Sequence, residues 1–386
     1  MASSPCPHFD HHDTSLQGDQ LYAVYEQLRR QRVCRSEANG GFWIVSRYDD
    51  VRAALKDNET FASGEGVFLP PLPGPRALGL ETDPPAHGPY RRLFLDLVGR
   101  PRVTAAEPLL REMVDRVVGE FAAAGGGDAV PAISEKVPVE GIALMAGLSP
   151  ETAAQVRALT VEMWKTLATD PNAIGPLMGL LMGEVEQRRG QGGEDFLTLL
   201  TEERIEGRPL SQEEIGNVLL SGVIAGHETT MNASTNLILE LASDRALQER
   251  LRADRSLIPA AVEEVLRHRA PVHLFFRTVT RDVEFAGTAM QAGDKLAVLY
   301  ASANRDPDRF ECPAELDVDR ADPGAHVSFG WGIHRCVGAP LAQAELRMLT
   351  DALLSRGTLE LAGEPEPSAL EGGHHMGWHC LPVNLF

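Results

Sequence analysis

Apolar residues recur at helical spacing through the middle of the chain and at alternating spacing in short stretches toward both ends. Asp19–Gln31 predicts an amphipathic helix. Two short strands, Val33–Ser36 and Phe42–Ser46, flank Ala38-Asn39-Gly40-Gly41, and Asn-Gly is a strong hairpin signal. Asp49–Asp57 predicts a second short helix, and Gly64–Pro85, rich in glycine and proline, an ordered loop or lid. From Pro89 to Arg269 the pattern is almost wholly helical. It breaks at Gly99–Pro101, Gly125–Gly127, Ser149-Pro150, Asp170-Pro171, Gly190–Gly193 and Gly207–Pro209. Within it, Ser211-Gln212-Glu213-Glu214 is a capping box, in which hydroxyl and carboxylate each satisfy a backbone amide. The helix it opens runs to about Ser243, on the order of 50 Å long, enough to cross the molecule. After Ala270-Pro271 the pattern turns to strands at Phe275–Thr280, Val283–Phe285 and Lys295–Leu299. An irregular polar stretch follows, from Arg305 to Asp322. A last helix spans Ala339 to about Leu354, and strand-like turns finish the chain. The pattern predicts a mainly α protein with a minor β part. No composition shift marks a linker, so one domain is expected over residues 1–386.

Composition narrows the function classes. An apolar share of 43% and a charged share of 24% exclude a disordered or collagen-like chain. The longest apolar runs, Pro176–Gly183 and Asn217–Gly226, fall short of the ~18–20 residues of a membrane span. The first residues carry no secretory signal. A net charge of −19 opposes binding to nucleic acid or anionic lipid. Only four of the 36 basic residues are lysine, and arginine suits planar carboxylates. Five cysteines (Cys6, Cys34, Cys312, Cys336, Cys380), odd in number and without Cys-x-x-Cys, are neither a disulfide framework nor a zinc ribbon. The expectation is a cytoplasmic protein with no membrane or nucleic-acid partner.

One cysteine stands apart. Phe329-Gly330-Trp331-Gly332-Ile333-His334-Arg335-Cys336-Val337-Gly338 is a glycine-rich loop running directly into a helix. Gly330 and Gly332 permit a tight turn and close approach of backbone to a flat ligand. Free amides at the helix start lie near the sulfur, which lowers a thiol pKa and favours a thiolate. A thiolate is a ligand for iron. Burial in a loop is the commoner fate of a lone cysteine, but a ten-residue pattern is too constrained for that.

The segment resembles the haem-binding loop of the cytochrome P450 family, F-G-x-G-x-H-x-C-x-G. Every fixed position is present: Phe329, Gly330, Gly332, His334, Cys336 and Gly338. Three more family motifs follow the same order along the chain. Ala225-Gly226-His227-Glu228-Thr229-Thr230, midway along the long helix, resembles A-G-x-D/E-T-T. The resemblance implies that Glu228 and Thr229 serve oxygen activation and that Ala225 borders the haem; the bland reading is a packing glycine beside a solvated glutamate. Glu264-Val265-Leu266-Arg267 matches E-x-x-R. It implies a buried structural ion pair locking its helix against the stretch around Asp306–Arg320, where such spacing is usually only a weak surface contact. His87-Gly88-Pro89-Tyr90-Arg91 matches H-x-x-x-R of the bacterial branch. His87 and Arg91, with Arg277 and His326, correspond to haem-propionate partners. One departure is Leu316-Asp317, where the family often has Phe-Asp. His8, His11 and His12 read as a solvated tail. His374-His375-Met376-Gly377-Trp378 either reaches the pocket or stays clear of it.

The resemblance implies a cytochrome P450 fold with the long helix over haem b (iron protoporphyrin IX) and Cys336 as the metal ligand. It implies a soluble bacterial monooxygenase of class I, monomeric, that hydroxylates a small organic molecule in secondary metabolism. Electrons come from NAD(P)H through a ferredoxin reductase and a ferredoxin (2Fe-2S or similar). Two alternatives stay open: oxidative coupling without oxygen insertion, and a non-catalytic haem sensor or carrier, against which the complete acid–alcohol pair argues. The implied pocket is lined by Gly64–Pro85, Thr160–Gly183, Gly222–Gly226, Val272–Phe275 and His375–Trp378, which fixes no particular substrate.

Overall fold

The structure, a computed structural model, describes residues 8–71, 75–166, 170, 172–370 and 372–386. Cys6, the 72–74 tip of the proline-rich loop, residues 167–169 of the implied pocket and the break at Pro171 lie outside the described residues. Helices dominate: α1 (Asp19–Arg29), α2 (Tyr48–Lys56), α3 (His87–Val98), α4 (Arg100–Ala123), α5 (Lys136–Ala146), α6 (Pro150–Thr166), α7 (Gly175–Arg188), α8 (Phe196–Glu202), α9 (Gln212–Ser243), α10 (Arg245–Ala253), α11 (Ile258–His268), α12 (Tyr300–Ala303) and α13 (Ala339–Arg356).

The long helix forms as its cap dictates. The Glu214 amide donates to Ser211 Oγ at 3.1 Å, and the Ser211 amide to Glu214 Oε2 at 2.8 Å. Glu214 also takes Arg208 and the Tyr90 hydroxyl, which hold its carboxyl well below the usual range. Over 32 residues α9 spans roughly 48 Å. It packs along α5, α7, α11 and α13. At Gly226 it runs close to α5, where a Cβ would press on Ile142.

A five-stranded sheet flanks the helices, in the order Val33–Ser36, Phe42–Val45, Lys295–Leu299, Leu274–Val279, Phe61–Ala62. Alternation explains its two covered faces. Along one central strand Ala297 and Leu299 join Leu21, Tyr25 and Leu28 of α1, while Leu296 and Val298 join Val51 and Leu55 of α2. The hairpin expected at Asn39-Gly40 pairs Val33 with Val45 and Ser36 with Phe42, around a 3-10 turn with Asn39 at φ 50°. The 64–85 loop, where described, is ordered by two carboxylates: Glu81 accepts from the amides of Val67 and Ala77, and Asp83 from those of Ser63 and Gly64.

Two expected breaks are short strands instead. Gly126–Asp128 pairs with Pro382–Leu385, and Gly126 lies so near that strand that a Cβ would collide with Val383. Around Gly207 the chain makes a hairpin, Arg204–Ile205 against Arg208–Pro209. Helix and strand ends elsewhere differ from expectation by one or two residues, as frayed termini do. Among the described residues no helix is long and apolar enough to cross a membrane.

Candidate functional site

The loop before α13 is shaped by its glycines. Gly330 and Gly332 hold φ of +66° and +72°, the left-handed region. Gly332 abuts the last turn of α2, where a Cβ would collide with the Leu55 carbonyl. Next to it the Arg52 guanidinium lies over the Trp331 ring, 4.0 Å from its centre. The turn closes when the Cys336 amide donates to the Phe329 carbonyl at 2.7 Å. The sulfur then sits at the start of α13 and accepts from the amides of Gly338 and Ala339.

Those amides, with Arg335 and Arg91, favour a thiolate, but burial outweighs them and pushes the Cys336 thiol up. This corrects the expected lowering. The loop lies deeper than a helix start on the surface, so desolvation is the larger effect. Cys336 is nevertheless an exposed residue. A side chain set deep in protein and yet open presents its surface to an interior space.

Cations gather beside it. The rings of His87 and His334 meet edge to face, centres 4.5 Å apart. Arg91 donates to the Arg335 carbonyl at 2.7 Å, and Arg277 to the Phe276 carbonyl at 2.8 Å and to the Tyr300 hydroxyl. Among the described residues neither arginine forms an ion pair, and Arg277 is buried. His87 Nε2 is buried without a hydrogen-bond partner. Burial, then Arg277 and His87, press the His334 ring down to about 3, against a distant Asp83 at 3.8 Å. Arg277 is a buried charge without a counter-charge, which is unfavourable, so its surroundings call for an anion. His326 is engaged differently: Nε2 meets Glu263 at 2.9 Å and Nδ1 accepts from the Ser328 amide at 3.2 Å.

On α9, Ala225 is exposed and Thr229 half-exposed although both lie halfway along the central helix. They too face an interior space. Gly226 leaves room for a widened turn of the helix, but none forms here. α9 is continuous, and the Thr229 hydroxyl donates to the Ala225 carbonyl at 2.9 Å, the usual bond of a mid-helix threonine. Glu228 is buried, its Oε1 3.1 Å from His375 Nδ1 and its Oε2 without a partner.

The E-x-x-R pair is fully buried. Arg267 donates to both Glu264 oxygens at 2.7 Å and to the carbonyls of Asn304, Pro313 and Glu315. Glu264 also accepts from the Asp317 amide and Arg320. It therefore ties α11 to the irregular polar stretch. Sequence reasoning missed Asp83, Tyr300 and Glu263, single polar residues in ordinary contexts with no motif to mark them.

A haem fits these residues. Its iron takes a thiolate, its two propionates answer cations that lack a counter-charge, and its flat ring suits a loop and a helix that both open inward. A cysteine so placed, with unpaired cations around it, is what a haem-thiolate protein presents. The comparisons carry this to a family. The family model described as Cytochrome P450 matches residues 163–382. Cytochrome P450 monooxygenase PikC of Streptomyces venezuelae is 34% identical over 87% of this chain and 83% of its own. Erythromycin C-12 hydroxylase of Saccharopolyspora erythraea is 32% identical over 82% of each. Among solved structures, Mycobacterium marinum cytochrome P450 CYP268A2, in complex with pseudoionone, superposes over 100% of both chains with a TM-score of 0.88 and 26% identity. The chain belongs to the cytochrome P450 family, and it is a monooxygenase of the bacterial kind.

Proposed function

We propose that the protein hydroxylates a small, largely apolar organic molecule of secondary metabolism, as a single-domain cytoplasmic monomer fed by NAD(P)H through ferredoxin reductase and a ferredoxin. The observation that carries the reading is the pairing of an inward-facing thiol at Cys336 with an acid–alcohol pair, Glu228 and Thr229, on the central helix. A relative named for hydroxylating erythromycin supports the substrate class. When bound, the haem supplies thiolate-ligated iron, at which dioxygen is activated and substrate oxidised.

The chain's own residues do the rest. Cys336 ligates through Sγ, with the Gly338 and Ala339 amides turned to it. Arg91, Arg277 and His87 hold the propionates, and Arg91 also braces the loop through the Arg335 carbonyl. Phe329, Gly330, His334 and Gly338 shape the loop that would meet the ring, and His326, bonded to Glu263, would serve on the propionate side. Ala225 leaves room above the ring. Thr229 Oγ1 carries a proton on the inward face and Glu228 replaces it from the buried side. Thr229→Ala is therefore expected to keep fold, haem and the substrate-induced spectral shift, but to consume NADPH and release hydrogen peroxide instead of product. Glu228→Gln is expected to slow oxygen-dependent turnover with a larger solvent isotope effect. Wild-type coupling in either variant would overturn that residue's role. Product mass separates hydroxylation, a gain of one oxygen, from oxidative coupling, a loss of two hydrogens.

Arg335 is exposed in the loop, Arg92 on α3 and Arg102 in the first turn of α4, on a chain that is otherwise acidic. They form the local basic surface for an acidic ferredoxin. Charge pairing of this kind sets mainly the on-rate and is screened by salt. Reduction by ferredoxin in stopped flow is expected to slow as ionic strength rises from about 0.01 M to 0.5 M, over which the Debye length shortens several-fold. A salt-independent rate would remove these arginines from the interface.

A further inference from the structure

We infer that His375 is the positioning residue that delivers the proton to Glu228. The inference rests on the reading of Glu228 as the acid behind Thr229. Among the described residues, the only charged or titratable group in ion-pair contact with Glu228 is His375, at 3.1 Å between Nδ1 and Oε1. A carboxylate held by arginine or lysine is kept ionised by a cation that does not release its proton at neutral pH. An imidazole does release one. The step is a transfer within the pair: the Nδ1–H bond breaks, the Oε1–H bond forms, and imidazolium with carboxylate becomes neutral imidazole with carboxylic acid. The Nδ1–H is not yet aligned with the carboxylate, and Nδ1 makes no other hydrogen bond. Proton donors often reach full alignment only in the working complex.

The fold holds His375 firmly. An antiparallel bridge joins it to Val272, and the His273 amide donates to the His374 carbonyl at 2.8 Å. The neighbouring groups do not compete for charge. On α9, His227 is pushed down to about 4 by burial, offset in part by Glu228, with Arg157 adding to the lowering. From the segment after α11, His273 is pushed to about 3 by burial and by Arg305. His374, whose ring centre is 4.0 Å from that of His375, is also pushed down by burial. Beyond His374 lie His11 and His12, which pack on Gly373 and both bond the Leu69 carbonyl; His12 is exposed. His11 and His12 are thus no solvated tail, whereas His8 is exposed.

His375→Gln retains a donor within reach of Glu228 but cannot pass a proton. In the haem-loaded protein it is expected to keep melting temperature, the carbon monoxide spectrum and the substrate-induced shift. Product formed per NADPH should fall roughly tenfold or more, with peroxide released, as loss of a proton-transfer partner predicts. A second readout does not depend on turnover. In the diamagnetic ferrous carbon monoxide form, the His375 Nδ1 nitrogen resonance should move on Glu228→Gln and stay in place on Thr229→Ala. Wild-type coupling in His375→Gln, or an unmoved resonance in Glu228→Gln, overturns the inference. If Glu228→Gln itself couples normally, the reading of Glu228 fails instead; if Glu228→Gln uncouples and His375→Gln does not, only the role of His375 falls.

Discussion

Cys336→Ala is expected to abolish the red-shifted Soret band that thiolate-ligated haem gives when reduced under carbon monoxide, and with it all turnover. The other described cysteines cannot substitute. Cys34 is buried within the sheet, Cys312 is exposed in the polar stretch at φ +42°, and Cys380 lies in a short strand near the C-terminus. Among the described cysteines, only Cys336 combines an open interior face with two amides turned to its sulfur. Its burial disfavours the free thiolate, and the charge of a bound iron would favour it. A surviving band, or its loss on substitution of Cys34 or Cys312 instead, would refute the assignment.

Glu264→Ala is the second large effect, on stability. It leaves Arg267, which is 0% exposed, as a buried cation with no counter-charge, and it strips the Asp317 amide and Arg320 of their acceptor. Breaking a buried pair from one side costs about 3–5 kcal/mol. Against a typical total of about 5–15 kcal/mol, that removes from about a fifth to nearly all of the stability. Replacing both partners by apolar residues is not expected to rescue the fold, because Arg267 also satisfies the carbonyls of Asn304, Pro313 and Glu315. Acid titration gives a second check. Burial raises the Glu264 carboxyl, but Arg267, the Asp317 amide and Arg320 together lower it below its ordinary value. Its contribution is therefore full above the ordinary carboxyl range and is lost as pH falls through the lowered folded value. Denaturant melts from pH 7 downward should show that slope in the wild type and a shallower one in Glu264→Gln.

The readable parts of the sequence were those whose chemistry is local. The Ser211–Glu214 cap, the glycine pattern around Cys336 and the i, i+3 spacing of Glu264 and Arg267 each depend on residues within ten positions. Features set by distant packing were not readable. His12 and His374 are separated by most of the chain, and only the fold brings their loops together. His326 is claimed by Glu263 from another helix, and Gly126 becomes an edge strand because the C-terminal strand runs beside it. The continuous course of α9 past Gly226, by contrast, has a local cause. The Thr229 hydroxyl satisfies the carbonyl that a widened turn would have freed.

The contact between α2 and the cysteine loop matters for anyone building chimaeras from related chains. The Leu55 carbonyl and the Arg52–Trp331 stack make the N-terminal quarter of the protein a template against which the iron-ligand loop is moulded. A graft that exchanges residues before α3 therefore exchanges part of the mould. Donors should be screened for the geometry of that one helix end before any comparison of their substrate loops.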